Sequence, residues 1–554
     1  MNQPTPPPAT PAPKPPAQEP AIPWLEWSEA ALQRARDEKK PIALHIGATW
    51  CHWCHVMDEG SYTWAGVASL LAERFICIRV DTDRRPDVNE RYNQGGWPTF
   101  AILDAAGEVL IGRTYVPGME LLALLRSASD PASRWTLAPE PAPVLGTSAV
   151  DAAVIYARVQ EAYDPYNAGF GEMQKFPHPM VLDWLLDRVH RTDDAWSREA
   201  ATKTMAAMAT KGMYDHEEGG FFRYATQDDW MEPHYEKLLE DHGRLLGVYA
   251  REAKPRAATL ESAVRWVLAT LHDPQTGAFF GSQDADESYY RRPRAQRSDP
   301  PPVDQTVYAG WNGLIIAALV RAGAVLGRPG LIGVARIASA HLSTMIAPDG
   351  RVSRHANGVS GLLEDQVQVA EGMYAVGAAF GDDACLSAAA RVMEWAWLNL
   401  RVGEGQGLYD RLPEGLGRLR HARRHVHGNA AFARVALLLH AAGVPGEWRI
   451  RAEEASRAAL AESEDWGFFA APAAAVAERL AAPIVTIKVA GAGWPIPPLL
   501  LAGLSDPHPD HVWIGVSEGV PAGMAMACSG SACGRPTADY AELMRSVTAL
   551  GVRR

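Results

Sequence analysis

A loop signature of glycine next to a hydrophobic residue recurs between residues 148 and 480, among long Ala/Leu-rich helical segments. Its copies begin at Gly169, Gly219, Gly277, Asp349, Gly407 and Gly467, which are 50 to 72 residues apart. Each interval has room for two helices, for example 178–191 with 198–211. A regular repeat of one helical hairpin is typical of an array. Six such hairpins predict an (α/α)6 toroid with its loops at one rim; the alternative is a chance scatter of glycine–aromatic pairs.

Residues 24–130 have a different pattern, which predicts an α/β domain. "WLEWSEAALQRARDEKK" predicts an amphipathic helix with Ser28 as its N-cap. "PIALHIGA" and "ICIRVDTD" predict buried strands, "TFAILDAAGEVLIG" predicts a hairpin, and "GMELLALLRSA" predicts a closing helix. The order is helix, strand, helix, strand, hairpin, helix.

The remaining segments complete a multidomain organisation, as expected for a chain of 554 residues. The proline-rich residues 1–23 predict a disordered tail, and residues 131–147 predict a linker. Residues 481–554 predict a C-terminal segment with a few short strands in "IVTIKV", "HVWIGV" and "GMAMAC".

Composition excludes several classes of function. The net charge of -12 and the lack of any Lys/Arg run argue against nucleic acid as a partner. No apolar run reaches the length of a membrane span, and the N-terminus does not have the pattern of a signal peptide. Six cysteines in a chain of this length do not make a secreted disulfide framework. We therefore expect a cytoplasmic protein with no membrane association.

The stretch "GATWCHWCHVMD", residues 47–58, permits three kinds of site. Cys51 to His55 formally match C-x-x-C-H, a covalent haem attachment motif, but no export signal is visible. Cys51, Cys54 and one histidine supply at most three zinc ligands, without a second ligand pair at finger spacing. The third interpretation is a redox dithiol.

Context favours the redox dithiol. The motif follows a predicted strand and begins a predicted helix, so the first sulfur would lie at a helix N-terminus, where the macrodipole stabilises a thiolate. A protonated His52 would add positive charge. Downstream, "GGWPTF" has the form of a cis-proline loop facing the dithiol, and we predict a cis bond between Trp97 and Pro98.

These motifs resemble the thioredoxin superfamily. Within it, the strings "CHWCHVM", "FICIRVD", "RPDVN", "GGWP" and "TYVP" resemble the spermatogenesis-associated thioredoxin-like proteins. The resemblance continues through "KFPHP", "GMYDHEEGGFFRY", "PHYEKLLEDH", "WNGLIIAAL", "LLED" and "CSGSACGRPTAD" to the C-terminus. It implies a thioredoxin-like domain joined to a six-hairpin toroid like that of N-acylglucosamine 2-epimerases.

The leading hypothesis is thiol–disulfide exchange on a protein or small-molecule disulfide. Cys51, as an exposed sulfur, would attack the substrate, and Cys54 would resolve the mixed disulfide. The residues expected around the dithiol are Trp50, His52, Trp53, His55, Trp97 and Pro98. Pro98 would shape the substrate groove, as the cis-proline does in the superfamily.

A second candidate site lies in the loops of the predicted toroid. We expect the "GGFF", "DAD", "WNG" and "LLED" loops to converge on one rim and form a pocket for a carbohydrate. The candidate residues are His178, His234, Glu236, Lys237, Asp241, Asp284, Asp286, Trp311, Asn312, Glu364, Asp365 and Asn429. A carboxylate pair suits glycoside hydrolysis and a histidine suits proton transfer in epimerisation. Equally, Asp and Asn in such loops serve as Asx-turns or N-caps.

Three classes of function therefore stay open. The protein is a disulfide oxidoreductase, a sugar epimerase, isomerase or glycosidase with a regulatory dithiol, or a non-catalytic binding protein. No cofactor and no metal site are predicted. Cys77 and Cys385 are expected to pack in the core, and Cys528 and Cys533 to form a disulfide or part of a metal site.

Overall fold

The structure is a computed structural model that describes residues 21–130, 145–146, 148–415 and 417–551. The predicted tail lies outside the described residues apart from residues 21–23. The predicted linker lies outside them apart from residues 145–146, so the domain boundaries stay predictions.

The N-terminal elements form a four-stranded sheet covered by helices on both faces. In chain order they are α1 (Glu29–Glu38), β1 (Ile42–Gly47), α2 (His52–Glu59), α3 (Ala65–Arg74), β2 (Ile76–Asp81), α4 (Pro86–Tyr92), β3 (Thr99–Leu103), β4 (Val109–Arg113) and α5 (Gly118–Ser129). The strand order is β2-β1-β3-β4, with β1 parallel to β2 and antiparallel to β3. Ser28 caps α1 by accepting a hydrogen bond from Ala31 N at 3.2 Å, as predicted.

The side chains of β1 point alternately to the two faces of the sheet, which explains why a hydrophobic core packs on each face. Ile42, Leu44 and Ile46 pack with α1 and α4, whereas Ala43 packs on the other face with α3 and α5. Successive side chains of a strand point to opposite faces, so a strand covered on both faces is apolar throughout. All six residues of β1 are buried.

Twelve longer helices form a closed toroid. The six inner helices are α7 (Pro179–Thr192), α9 (Leu239–Arg251), α12 (Ala309–Val325), α14 (Leu363–Phe380), α16 (Val426–Ala441) and α18 (Ala471–Ala481). The six outer helices are α6 (Ala152–Ala162), α8 (Ala195–Thr210), α10 (Ala253–Thr270), α13 (Pro329–Ser343), α15 (Asp383–Leu400) and α17 (Trp448–Ala461). Each inner helix packs against the next, and α18 packs against α7 and α6, which closes the ring. The predicted (α/α)6 fold is confirmed.

The short elements of this region lie in the loops before the inner helices. They are β5 (Tyr224–Ala225), β6 (Pro233–His234), β7 (Lys237–Leu238), β8 (Ser282–Gln283), α11 (Glu287–Tyr290) and β9 (Val303–Asp304). The order β7-β8-β9 makes a small sheet beside the N-termini of α9 and α12. We call this end of the toroid, where the inner helices begin, the mouth.

A repeated hydrogen bond explains the recurring loop signature. The fourth residue of an inner helix accepts the N–H of a hydrophobic loop residue in four of the repeats. His242 Nε2 binds Phe221 N at 2.9 Å, and Asn312 Oδ1 binds Phe279 N at 2.9 Å. Gln366 Oε1 binds Val352 N at 2.5 Å, and Asn429 Oδ1 binds Leu408 N at 2.8 Å. We call these contacts the loop clamps.

The C-terminal segment forms a second sheet at the end of the toroid opposite the mouth. Its elements are β10 (Val485–Ala490), α19 (Pro498–Leu504), β11 (His511–Val516), β12 (Ala525–Ser529), β13 (Ala532–Cys533) and α20 (Tyr540–Gly551). The order β11-β10-β12-β13, with β10 parallel to β11 and antiparallel to β12, repeats the topology of the first sheet. The three predicted strands are confirmed, and Cys528 is bonded to Cys533. None of the described helices has the length and apolar content of a membrane span.

The clamp at His242 predicts a specific acid sensitivity. His242 Nδ1 lies 2.7 Å from Leu238 O and Nε2 accepts the Phe221 N–H, so the folded state holds a neutral imidazole. Burial lowers the pKa of His242 to about 3. The unfolded chain takes up a proton near pH 6.5 and the folded one does not, so stability falls as the pH drops below about 6.5, by up to about 1.4 kcal/mol per pH unit.

The variant His242→Gln keeps a hydrogen-bond acceptor for the loop N–H, as Gln366 does in its own repeat. The glutamine side chain, however, cannot take up a proton. Between pH 7 and pH 4.5 we expect the wild type to lose about 2 kcal/mol more stability than the variant. Urea unfolding followed by tryptophan fluorescence at both pH values measures this difference. Equal losses in the two proteins would contradict a neutral clamp histidine.

Candidate functional site: the dithiol at the mouth of the toroid

Cys51 and Cys54 are joined in a disulfide at the N-terminus of α2. Cys51 is the N-cap, and its sulfur accepts a hydrogen bond from Cys54 N at 3.2 Å. The sequence places it there because β1 ends at Gly47 and three residues of turn precede the cap. A sulfur in this position faces the free N–H groups and the positive end of the helix dipole, which favour a thiolate after reduction.

The expectation of an exposed sulfur is wrong for this structure. Cys51 is 6% exposed and Cys54 is 3% exposed. Both pack in one cluster with Ala48, Trp50 and Leu238, and Leu238 belongs to the toroid. The face of the thioredoxin-like domain that carries the dithiol rests on the mouth, which covers the sulfurs.

Two tryptophans and one arginine connect the dithiol to the mouth. Trp50 donates from Nε1 to Asp83 Oδ2 at 2.6 Å, and its ring meets Trp97 edge-on at 5.8 Å. The guanidinium of Arg223 lies 4.6 Å from the Trp50 ring centre and 5.3 Å from that of Trp97. Arg223 also donates to Glu236 Oε1 at 2.7 Å. The Trp97–Pro98 bond is cis, as predicted.

The polar residues of the motif take different positions. Trp53 is 45% exposed, packs against Tyr115 at 5.2 Å, and meets His52 edge-on at 5.7 Å. His55 reaches the toroid, with Nδ1 lying 3.8 Å from Asp284 Oδ2. Of these three, only His55 bridges to a residue of the predicted toroid pocket.

His45 is a neighbour of the dithiol that the sequence analysis did not single out. A Cβ on Gly47 would lie 2.9 Å from His45 Nε2 and 3.1 Å from Cys54 Sγ, so the imidazole and the sulfur flank the same glycine. His45 Nδ1 is 2.9 Å from the Tyr62 hydroxyl, and burial lowers the pKa of His45 to about 3. The ring is therefore neutral and shares the surroundings of Gly47 with the second cysteine.

Carboxylates with free oxygens surround the mouth. Glu236 Oε2, Asp241 Oδ2 and Asp365 Oδ2 are buried atoms without a hydrogen-bond partner among the described residues. Burial and the neighbouring Glu240 raise the pKa of Asp241 to about 7. Burial and the neighbouring Glu240 also raise the pKa of Glu364 to about 7, although 48% of its side chain is exposed.

Arginines pair with two carboxylates of the mouth, Glu236 and Asp365. Burial alone would raise the pKa of Glu236, but Arg223 and His234, at 3.5 Å, lower it below its usual value. Arg354 Nη1 donates to Asp365 Oδ1 at 2.9 Å, and Arg354 also donates to the backbone oxygen of Asp83 in the thioredoxin-like domain. Asp284 and Asp365 thus lie at the same end of the toroid, against the same domain.

The other predicted pocket residues are occupied in structural contacts. Lys237 donates to Asp215 at 2.8 Å, Asp286 caps α11, and the amides of Asn312 and Asn429 form loop clamps. Trp311 is 3% exposed and packs on Tyr308, while His178 meets the rings of Phe468 and Phe469 edge-on. The mouth therefore brings together His234, Glu236, Asp241, Asp284, Glu364 and Asp365 of the predicted set.

Buried contacts hold the two domains together. Arg91 Nη2 donates to Asp410 Oδ2 at 2.7 Å, and Arg411 pairs with Asp87. Leu419 of the toroid is fully buried in the core of the first domain beside Tyr92.

The sequence did not predict the roles of Arg223, Arg354 and Leu238 beside the first domain. Arg223 and Arg354 lie in the recurring loops, where an arginine among apolar residues indicates a charged group with a specific partner.

The sheet order and the helix-capping dithiol define the N-terminal part of the chain as a thioredoxin-like domain. Residues 15–127 match the family model Thioredox_DsbH, described as protein of unknown function, DUF255. The chain is 34% identical to thioredoxin H-type from Fagopyrum esculentum over 87 residues, which are 15% of this chain and 68% of that protein. Through this domain the chain belongs to the thioredoxin family.

The predicted resemblance to the spermatogenesis-associated proteins is also confirmed. The chain is 30% identical to spermatogenesis-associated protein 20 from Mus musculus over 308 residues, which are 48% of this chain and 39% of that protein. The matched part thus spans about two fifths of the relative's length. The structure also aligns with that of a cellobiose 2-epimerase from Spirochaeta thermophila. The alignment covers 55% of this chain and 81% of the epimerase chain, with 16% sequence identity and a TM-score of 0.43.

Leu238 predicts how the toroid controls access to the dithiol. Leu238→Ala removes the side chain that packs on Cys51 and Cys54, so we expect several-fold faster alkylation of Cys51 by iodoacetamide in the reduced protein. Site-resolved mass spectrometry measures the rate. Leu314→Ala is the matched control, because Leu314 is equally buried in the toroid but lies outside the dithiol cluster. Similar rates in both variants would contradict a cover formed by Leu238.

Proposed function

We propose that this protein is a thiol–disulfide oxidoreductase whose dithiol works at the mouth of its own toroid. One observation carries the proposal: the Cys51–Cys54 disulfide caps α2 and faces the toroid rather than bulk solvent. The thioredoxin-like domain supplies the dithiol and the helix dipole. The toroid supplies the surface that packs against it through Leu238.

The reaction begins from the reduced dithiol. The Cys51 thiolate attacks one sulfur of the substrate disulfide, which forms a mixed disulfide and releases the other substrate sulfur as a thiolate. Cys54 then attacks Cys51 Sγ, which frees the second substrate thiol and restores the Cys51–Cys54 disulfide. An external dithiol reductant returns the protein to its starting state. Each turnover reduces one substrate disulfide to two thiols.

His45 is suited to the second step. The neutral imidazole of His45 flanks the same glycine as Cys54 Sγ, so it can accept a hydrogen bond from the Cys54 thiol and orient it. The lowered pKa of His45 disfavours an imidazolium, so the proton of Cys54 goes to the departing substrate thiolate when Cys54 attacks. His45 stays neutral throughout the exchange.

Burial of the dithiol favours a small substrate. With Cys51 only 6% exposed, a folded protein disulfide cannot approach it while the domains are docked. A low-molecular-weight disulfide, or a flexible peptide segment, needs a smaller separation of the two surfaces than a folded protein does. The surroundings of the dithiol include charged groups, since Arg223 pairs with Glu236 and lies over the Trp50 ring.

The proposal predicts distinct effects for the two cysteines. Cys51→Ser should abolish the reduction of a small disulfide such as glutathione disulfide, with at least a hundredfold loss, because the attacking sulfur is gone. Cys54→Ser should instead trap the mixed disulfide on Cys51, visible as an added mass of one glutathione. Turnover is measured with dithiothreitol as the external reductant, beside insulin as a protein substrate.

His45→Gln serves as the variant that leaves both sulfurs in place. It should form the mixed disulfide at nearly the wild-type rate and resolve it more slowly. The proposal fails if wild-type protein reduces neither substrate, or if Cys51→Ser retains full turnover. Faster turnover of insulin than of glutathione disulfide would contradict the small-substrate assignment.

The mouth also supports a second candidate function, the binding of a polyhydroxylated ligand. The free oxygens of Asp241 and Asp365 are acceptors without donors among the described residues, and sugar hydroxyls supply such donors. If this is correct, glucose or cellobiose should bind in calorimetric titrations, and Asp241→Asn should weaken binding about tenfold. Asp383→Asn, which alters an exposed carboxylate in the first turn of the outer helix α15, is the control. The same affinity in both variants, or no binding to wild type, would argue against a sugar at the mouth.

A further inference from the structure

A cavity of about 330 Å³ runs inside the ring of inner helices, below the mouth. Its walls come from all six inner helices, and its floor comes from the C-terminal sheet through Asp506, His508 and Trp513. We call this space the channel. It contains none of the residues that the sequence predicted for the toroid pocket, and it is separate from the dithiol.

Arginine is the commonest charged residue of the channel wall. Arg244, Arg251, Arg321, Arg434 and Arg479 face four carboxylates, those of Asp183, Asp187, Glu371 and Asp506. Three of the arginines form ion pairs. Arg251 lies 2.6 Å from Asp183 and 2.7 Å from Asp187. Arg434 pairs with Glu371, and Arg244 pairs with carboxylates of the mouth. Asp506 is paired with His511 at 2.7 Å.

Two arginines remain without a carboxylate partner among the described residues. Arg321 makes one long hydrogen bond, from Nη1 to the backbone oxygen of Asp506 at 3.5 Å. Arg479 has a buried Nε without a hydrogen-bond partner, and burial lowers the pKa of both guanidinium groups. A guanidinium stays charged in a protein, and leaving it buried and unpaired is costly.

A third donor lines the same channel. The Tyr374 hydroxyl is buried without a hydrogen-bond partner and lines the channel with Arg321 and Arg479. Arg321 belongs to α12, Tyr374 to α14 and Arg479 to α18, so the three side chains enter the cavity from different parts of its wall. Two positive charges and a neutral hydroxyl, all able to donate, therefore line one space of about 330 Å³.

We propose that the channel binds a phosphate group through Arg321, Arg479 and Tyr374. A phosphate carries nearly two negative charges and three acceptor oxygens, which match two guanidinium forks and one hydroxyl. The volume of the channel lies at the small end of the range for ligand pockets, so the phosphate is free or belongs to a molecule of about monosaccharide size. The site does not depend on the dithiol chemistry.

The experiment titrates the full-length protein in a chloride buffer with inorganic phosphate, glucose 6-phosphate, glucose and glucuronate. Isothermal calorimetry gives the affinities, and thermal unfolding gives the shift in Tm that each probe causes. We expect saturable binding of the two phosphate-bearing probes and none of glucose at this site. Tighter binding of glucose 6-phosphate assigns a phosphate ester, and tighter binding of inorganic phosphate assigns the free anion.

The variants distinguish a binding role from a structural one. Arg479→Met and Arg321→Met should each weaken phosphate binding at least tenfold. Because each removes an unpaired charge, Tm without phosphate should stay the same or rise while the phosphate-dependent shift is lost. Arg457→Met, which alters an exposed arginine of α17, is the control and should keep the wild-type affinity.

Three results would overturn the assignment. They are no saturable phosphate binding to wild type, equal affinity in Arg479→Met and Arg457→Met, or binding of glucuronate without binding of either phosphate probe. If one variant does not fold, the other still decides the outcome, because the two arginines lie on different helices.

Discussion

The loop clamps position the mouth and, through it, the thioredoxin-like domain. Each clamp fixes one loop residue by its N–H, and the side chain two positions later points the same way along the extended loop. After Phe221, Val352 and Leu408 these side chains are Arg223, Arg354 and Asp410. All three reach the first domain: Arg223 at the Trp50 ring, Arg354 at Asp83, and Asp410 at Arg91. One hydrogen bond, repeated around the ring, therefore sets the docking surface.

Docking changes the electrostatics of the dithiol. The mouth carries Glu236, Asp241, Glu364 and Asp365, whose negative charge disfavours a nearby thiolate. The N-terminus of α2 favours one, and the guanidinium of Arg223 lies between the carboxylates and the dithiol, over Trp50. The N-terminus of α2 lies at the Cys51 sulfur itself, while the raised pKa values of Asp241 and Glu364 reduce the negative charge of the mouth near neutral pH. The thiolate of the proposed reaction is therefore favoured by the helix that Cys51 caps.

The sequence was sufficient for the architecture because its signals are local. The period of the clamp loops predicted the toroid, the apolar runs predicted the strands, and the position of Cys51 after a strand predicted the helix cap. It did not predict the burial of the dithiol, because the contacts responsible join distant residues, such as Asp83 with Arg354. Several polar residues of the loops were wrongly assigned to a pocket. The sequence around Asn312 or Asn429 is the same whether the amide binds a ligand or, as here, the backbone of a loop. Arg321 was readable as the single charged residue of the apolar helix α12, whereas Arg479 follows Glu478 in α18 and gives no such signal.

The parallel arrangement of the inner helices gives the toroid two unlike ends. Their N-termini meet at the mouth, where positive dipole ends stabilise the carboxylates of Asp241 and Asp365. Their C-termini meet at the opposite end, where Arg251 lies in the last turn of α9 and Arg321 lies just before the last turn of α12. An anion entering by the mouth meets carboxylates first. A second cavity, of about 640 Å³, shares His508 and His511 with the floor of the channel. The second cavity therefore adjoins the channel at the end opposite the mouth, away from the carboxylates of Asp241 and Asp365.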